Sequence, residues 1–111
     1  MENKLIKNYF EAWNNKDLLQ LSELVHDNIF LKDWENEAFG VTEFLKVNEK
    51  IFNSVDTIKA DVLSLVAVDN KVFSRLKIKV NRDIIQVVDY FEIENGKIAM
   101  IQAYRCFWYE I

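Results

Sequence analysis

Residues 84–105 read IIQVVDYFEIENGKIAMIQAYR, and the fold turns on them. From Ile84 to Ile93 apolar residues recur at every second position, which predicts a β-strand. Asn95-Gly96 is a dipeptide that accepts positive φ at both central positions, so Glu94-Asn95-Gly96 predicts a hairpin. A partner strand then runs from Lys97 to about Tyr109. Side chains alternate across a strand, so each can be split into two faces. Ile85, Val87, Asp89, Phe91 and Ile93 share one face, against Ile84, Gln86, Val88, Tyr90 and Glu92. On the second strand Ala99, Ile101, Ala103, Arg105 and Phe107 oppose Ile98, Met100, Gln102, Tyr104, Cys106 and Trp108. Asp89 and Arg105 are thus single polar residues on faces that are otherwise small or apolar. Burying either group alone costs several kcal/mol, so each must be paired or used.

Working outward, two further strands precede this hairpin: about Thr57 to Val68, turning at Asp69-Asn70-Lys71, and Val72 to Val80, turning at Asn81-Arg82-Asp83. In the latter, Val72, Ser74, Leu76, Ile78 and Val80 form the inner face, against Phe73, Arg75, Lys77 and Lys79. The first half of the chain is helical. Leu5, Ile6, Tyr9, Phe10 and Trp13 form an apolar stripe from about Asn3 to Trp13. Asp17 is placed to N-cap a short second helix that buries Leu18, Leu21, Leu24 and Val25. Ile29 to Trp34 alternates as a short strand. Gly40 precedes a third helix, about Val41 to Asn53, in which Phe44, Leu45, Val47, Ile51 and Phe52 face inward. Glu43, Lys46, Asn48, Glu49 and Lys50 read as its solvated face. Three helices followed by consecutive hairpins predict an α+β fold, with helices on one face of an antiparallel sheet.

Composition narrows the functions. With 111 residues, no proline, two glycines and no repeat, the chain reads as one domain over 1–111. A net charge of −4 with no Lys/Arg cluster argues against nucleic acid, whose backbone needs several cationic contacts. No segment is apolar enough for a signal peptide or membrane span, and Cys106 is a lone cysteine, so a cytoplasmic location is expected. His26 and Cys106 belong to no cluster with metal-ligand spacing, so neither a metal nor another cofactor is expected. Val88, Tyr90, Tyr104, Cys106 and Trp108 make the outer sheet face apolar and aromatic, which points to a homodimer packed through Tyr90, Tyr104 and Trp108.

The order of these features resembles the NTF2-like superfamily, in its SnoaL-like and ketosteroid-isomerase-like branches. It rests on Asp17 after the first helix, Asp33 closing the first strand, Gly40 before the third helix, and the Glu94-Asn95-Gly96-Lys97-Ile98 turn. The resemblance spans about Leu5 to Phe107 and implies a cone-shaped fold, its three helices and curved antiparallel sheet enclosing a pocket. It also implies roles. Tyr9 matches the isomerase tyrosine that meets a developing oxyanion, Asp89 the aspartate that does so beside it, and Asp33 the aspartate that moves the proton. Such chemistry needs a carboxylate to take the proton and donors to greet the enolate oxygen. Trp34 stands where those isomerases usually have proline, the stretch from Asp33 to Gly40 is shorter, and Arg105 occupies a position that is apolar in them.

The expected ligand is a small, partly apolar molecule, contacted by Arg105, Trp34, Val47, Leu76, Phe91 and Ile101. Three functions stay open: cofactor-independent proton transfer on a carbonyl compound, non-catalytic ligand binding, and homodimeric association. Each candidate residue also has a plain structural reading. Tyr9 can be a core residue, Asp33 a strand end, and Asp89 with Arg105 a structural ion pair.

Overall fold

The computed structural model describes residues 2–107. Helix α1, Glu2–Asn14, buries Ile6, Tyr9, Phe10 and Ala12 along the stripe read from the sequence. It ends in a reciprocal pair of backbone bonds, Asp17 N–H to Ala12 carbonyl (2.9 Å) and Lys16 N–H to Trp13 carbonyl (3.0 Å). Lys16 takes the left-handed conformation that this ending requires, at φ 55°. The chain reverses at once into α2, Leu18–Leu24, where the Asp17 carboxylate accepts from Gln20 N–H at 3.0 Å. Of the four residues expected to be buried here, Leu21 is buried within α2, and Val25 is buried as the first residue of strand β1, Val25–Lys32.

A short strand, β2, Glu37–Phe39, follows, and then α3, Gly40–Asn53. Gly40 makes the junction with φ +86°, a conformation that costs other residues about 1–2 kcal/mol. Glu43 reaches back so that its carboxylate accepts from Phe39 N–H at 2.8 Å. Phe44 and Phe52 are buried by α3. The remaining strands are β3, Ile58–Val68, β4, Lys71–Val80, β5, Asp83–Glu94, and β6, Lys97–Cys106. Two-residue turns join them, and Asp69, Asn81, Asn95 and Gly96 all have positive φ. Asn-Gly at 95–96 has it at both positions, as expected for a hairpin of this kind.

The six strands form one sheet in the order β2-β1-β6-β5-β4-β3. The curved, wholly antiparallel, pocket-enclosing sheet expected from the sequence is corrected here on two counts. Strand β1 runs parallel to β6, with Leu31 opposite Ile101 and Lys32 opposite Gln102, so the sheet is mixed. It is also open, with β2 and β3 as its edges, and is not strongly curled or closed. The cause is connectivity: β3 to β6 are joined by successive hairpins, whereas β2, α3 and three further strands lie between β1 and β6.

Within the sheet, β4 buries Val72, Ser74, Leu76 and Ile78 and β5 buries Val87, Asp89, Phe91 and Ile93, as alternation requires. Strand β6 departs from simple alternation. Glu92 pairs with Met100 but Ile93 pairs with Ile98, which leaves Ala99 as an extra residue. The bulge turns Ile98 into the core at 0% exposure, while Ile101 further along is also buried. Helices α1 and α3 pack on the inner face. Asn14 ties α1 to strand β3 by imitating a strand neighbour, its side-chain amide donating to the Ala60 carbonyl and accepting from Ala60 N–H.

Candidate functional site

Between the helices and the inner face of the sheet lies a cavity of about 580 Å³. Tyr9, Phe10 and Trp13 of α1 and Asn48 and Ile51 of α3 form one wall, and Leu76, Val87, Asp89, Ile101, Ala103 and Arg105 form the opposite one. Asp33 and Trp34, just after β1, also line it. The helices, and not a closing sheet, provide its roof.

Asp89 stands in the middle of this wall, opposite Ser74 on β4 and Ala103 on β6. It is only 8% exposed and makes no hydrogen bond or ion pair among the described residues. Burial, and then the charge of Asp33, push its carboxyl up to about 7 from the ordinary 3.8. Tyr9 is buried, its ring meeting Phe10 and Phe91 edge-on at centroid distances of 5.3 and 5.6 Å. Its hydroxyl also lacks a hydrogen-bond partner among the described residues. Burial, reinforced by the charge of Asp89, raises this phenol far above its usual range, so Tyr9 stays a donor.

Asp33 is differently employed. Its Oδ1 accepts from Glu35 N–H (2.7 Å) and Asn36 N–H (2.6 Å), and the Asn36 amide approaches both carboxylate oxygens at 3.2–3.3 Å. The carboxylate therefore holds the 33–36 turn while it lines the cavity. Arg105 lies over two aromatic faces, 5.9 Å from the centre of the Trp34 ring and 4.9 Å from that of Phe107. The alternative of an Asp89–Arg105 ion pair is not realised: the two make none in this structure.

The profile of the SnoaL-like domain matches residues 6–101 of the chain. The chain belongs to this SnoaL-like family, within the NTF2-like superfamily. Solved structures agree on the fold. A candidate ketosteroid isomerase from Kribbella flavida DSM 17836 superposes with a TM-score of 0.90 at 14% identity, over 99% of this chain and 81% of that one. An NTF2-like protein of unknown function from Cytophaga hutchinsonii ATCC 33406 gives 0.84 at 17% identity, over 96% and 90%. A candidate polyketide cyclase from Sinorhizobium meliloti gives 0.84 at 20% identity, over 90% and 93%. No curated protein matches the sequence significantly.

In this SnoaL-like chain the cavity gathers Tyr9, Asp33, Asp89, Trp34, Arg105, Leu76 and Ile101 from five separate segments. It does not gather Val47 or Phe91. Val47 packs against the core from α3, and Phe91 is fully buried against Tyr9 and Phe10. Asn48 is the polar group that sequence reading misplaced. It was expected on the solvated face of α3 but is 3% exposed, accepting from Trp13 Nε1–H at 3.0 Å and donating to the Phe44 carbonyl at 2.9 Å. The signal was its spacing, four residues from both Phe44 and Phe52 on one helical face.

Among the described residues no group of three or more His, Cys, Asp and Glu side chains could hold a metal ion. None of their helices is long and apolar enough to cross a membrane. On the outer sheet face Phe73 and Tyr104 are 46% and 58% exposed, and Phe73 packs on Tyr90 at 5.0 Å. Trp108, expected on the same face, lies outside the described residues.

Proposed function

We propose that the chain binds a small, partly apolar carbonyl compound in the helix–sheet cavity and moves a proton on it without a cofactor. One observation carries this reading: the Asp89 carboxyl and the Tyr9 hydroxyl face one cavity, and neither has a hydrogen-bond partner among the described residues. A buried polar group left unsatisfied costs about 1–3 kcal/mol, and a ligand oxygen accepting from both would relieve that cost. The apolar wall of Leu76, Val87 and Ile101 suits the ligand's body.

In this mechanism Tyr9 and protonated Asp89 donate to the carbonyl oxygen. Asp33, oriented by Glu35 and Asn36, takes a proton from the adjacent carbon. Negative charge then develops on the oxygen, where the two donors hold it. Return of the proton to another carbon completes an isomerisation. At neutral pH Asp89 is poised near its midpoint, so either protonation state is accessible.

The test is deuterium uptake from heavy water into a panel of cyclic and aryl ketones, followed by proton NMR. Exchange by the native chain that is lost in Asp33→Asn and Asp89→Leu supports the reading. Ligand binding with no exchange in any member of the panel would favour the non-catalytic alternative. A homodimer through the outer face belongs to the same proposal, because Phe73, packed on Tyr90, and Tyr104 present exposed aromatic rings there that a second copy could cover.

A further inference from the structure

Arg105 holds a charge that nothing in the described protein answers. Its guanidinium carries five N–H donors. Ring faces steady the plane from Trp34 and Phe107, but they leave those donors unused. Asp33, Glu35, Asp83 and Asp89 all line the same cavity, yet none makes an ion pair with Arg105. The Asp33 carboxylate is instead turned to the donors of its own turn. A second, smaller cavity of about 360 Å³ adjoins the first and shares Asp33, Trp34, Ala103 and Arg105 with it. Arg105 therefore stands where the two meet.

We infer that the ligand of this site is an oxo acid, whose carboxylate is held by Arg105 while its carbonyl reaches Asp89 and Tyr9. The inference rests on the pocket reading above and adds the charge and the spacing of the ligand. A planar fork of donors matches a carboxylate in two parallel hydrogen bonds, and the flanking rings hold the fork ready for it. Spacing follows from the strand register. Arg105 lies opposite Val87, two residues along β5 from Asp89, which is about 7 Å along the sheet. The acid group is thus separated from the carbonyl by a few carbon atoms, and the remainder of the molecule is apolar.

The test compares 4-oxo-4-phenylbutanoate with its methyl ester, by calorimetry at low ionic strength, on the native chain, Arg105→Met and Arg105→Lys. The native chain is expected to bind the acid about ten- to a hundredfold more tightly than the ester, the range that charge-assisted hydrogen bonds supply. Added salt should erode that preference. Arg105→Met should abolish it, the acid then binding no more tightly than the ester to that variant, and Arg105→Lys should keep part of it, since the charge remains but the fork does not. Thermal melts of both variants establish that they fold. Equal or tighter binding of the ester by the native chain overturns the inference and leaves the pocket reading standing. A preference for the acid that persists in Arg105→Met also overturns it. Failure of both compounds to bind the native chain at millimolar concentration overturns both readings together.

Discussion

Asp89 and Ser74 face each other across the β4–β5 ladder on the inner side of the sheet, and no hydrogen bond joins them. The Ser74 hydroxyl is fully buried without any partner, and the Asp89 carboxyl turns to the cavity. A polar pair left unsatisfied in a core of Val, Leu and Ile costs stability. Of the two, only Asp89 lines the cavity.

Stability should fall as pH rises. An unfolded aspartate loses its proton near 3.8, whereas Asp89 in the folded chain keeps it to about 7. Its contribution is therefore fully present below about pH 4 and is lost as pH climbs through 7, a difference of about 4 kcal/mol. Asp89→Asn removes this dependence. Urea unfolding at pH 4 and pH 8 should find the variant close to the native chain at pH 4 and more stable by a few kcal/mol at pH 8.

Ser74→Ala deletes a hydroxyl that bonds to nothing. The variant is expected to be as stable as the native chain or up to about 1 kcal/mol more stable, in contrast to the usual destabilisation by core substitutions. Denaturant midpoints compared at one pH check this directly.

Gly40→Ala places a side chain at φ +86°, where backbone strain alone costs about 1–2 kcal/mol. A Cβ there would meet only the Asp27 carbonyl at 3.5 Å, an ordinary contact, so crowding adds little. Thermal unfolding should show a loss of that size, with the cavity chemistry intact.

Much of this fold could be read from the chain. The α1 stripe, the Asp17 cap, the hairpin turns and the inner faces of β4 and β5 follow from local periodicity and turn chemistry. What could not be read depends on distant partners. The parallel pairing of β1 with β6 leaves no mark in either strand, and three-residue β2 is too short to show a period. The extra residue at Ala99 reversed the expected side of Ile98 because alternation assumes an unbroken ladder. For the site, isolated polar residues on apolar strand faces led to Asp89 and Arg105. Val47 and Phe91 pack in the core without lining the cavity, because facing inward does not separate a cavity wall from solid core.

If the outer face closes a homodimer, a charge placed there should open it. Tyr104→Glu is expected to halve the mass seen by sedimentation while leaving unfolding near native, since Tyr104 is 58% exposed in the single chain. A native chain that sediments as a monomer would exclude the dimer.

The most direct measurement is a carboxyl-carbon NMR titration of Asp89 in the free protein. A midpoint near 7, displaced when an oxo acid is added, is the expected result and places an accessible proton inside the cavity. A midpoint near the ordinary 3.8, unmoved by ligand, would mean that the carboxyl is solvated or paired, and would contradict proton transfer at this site.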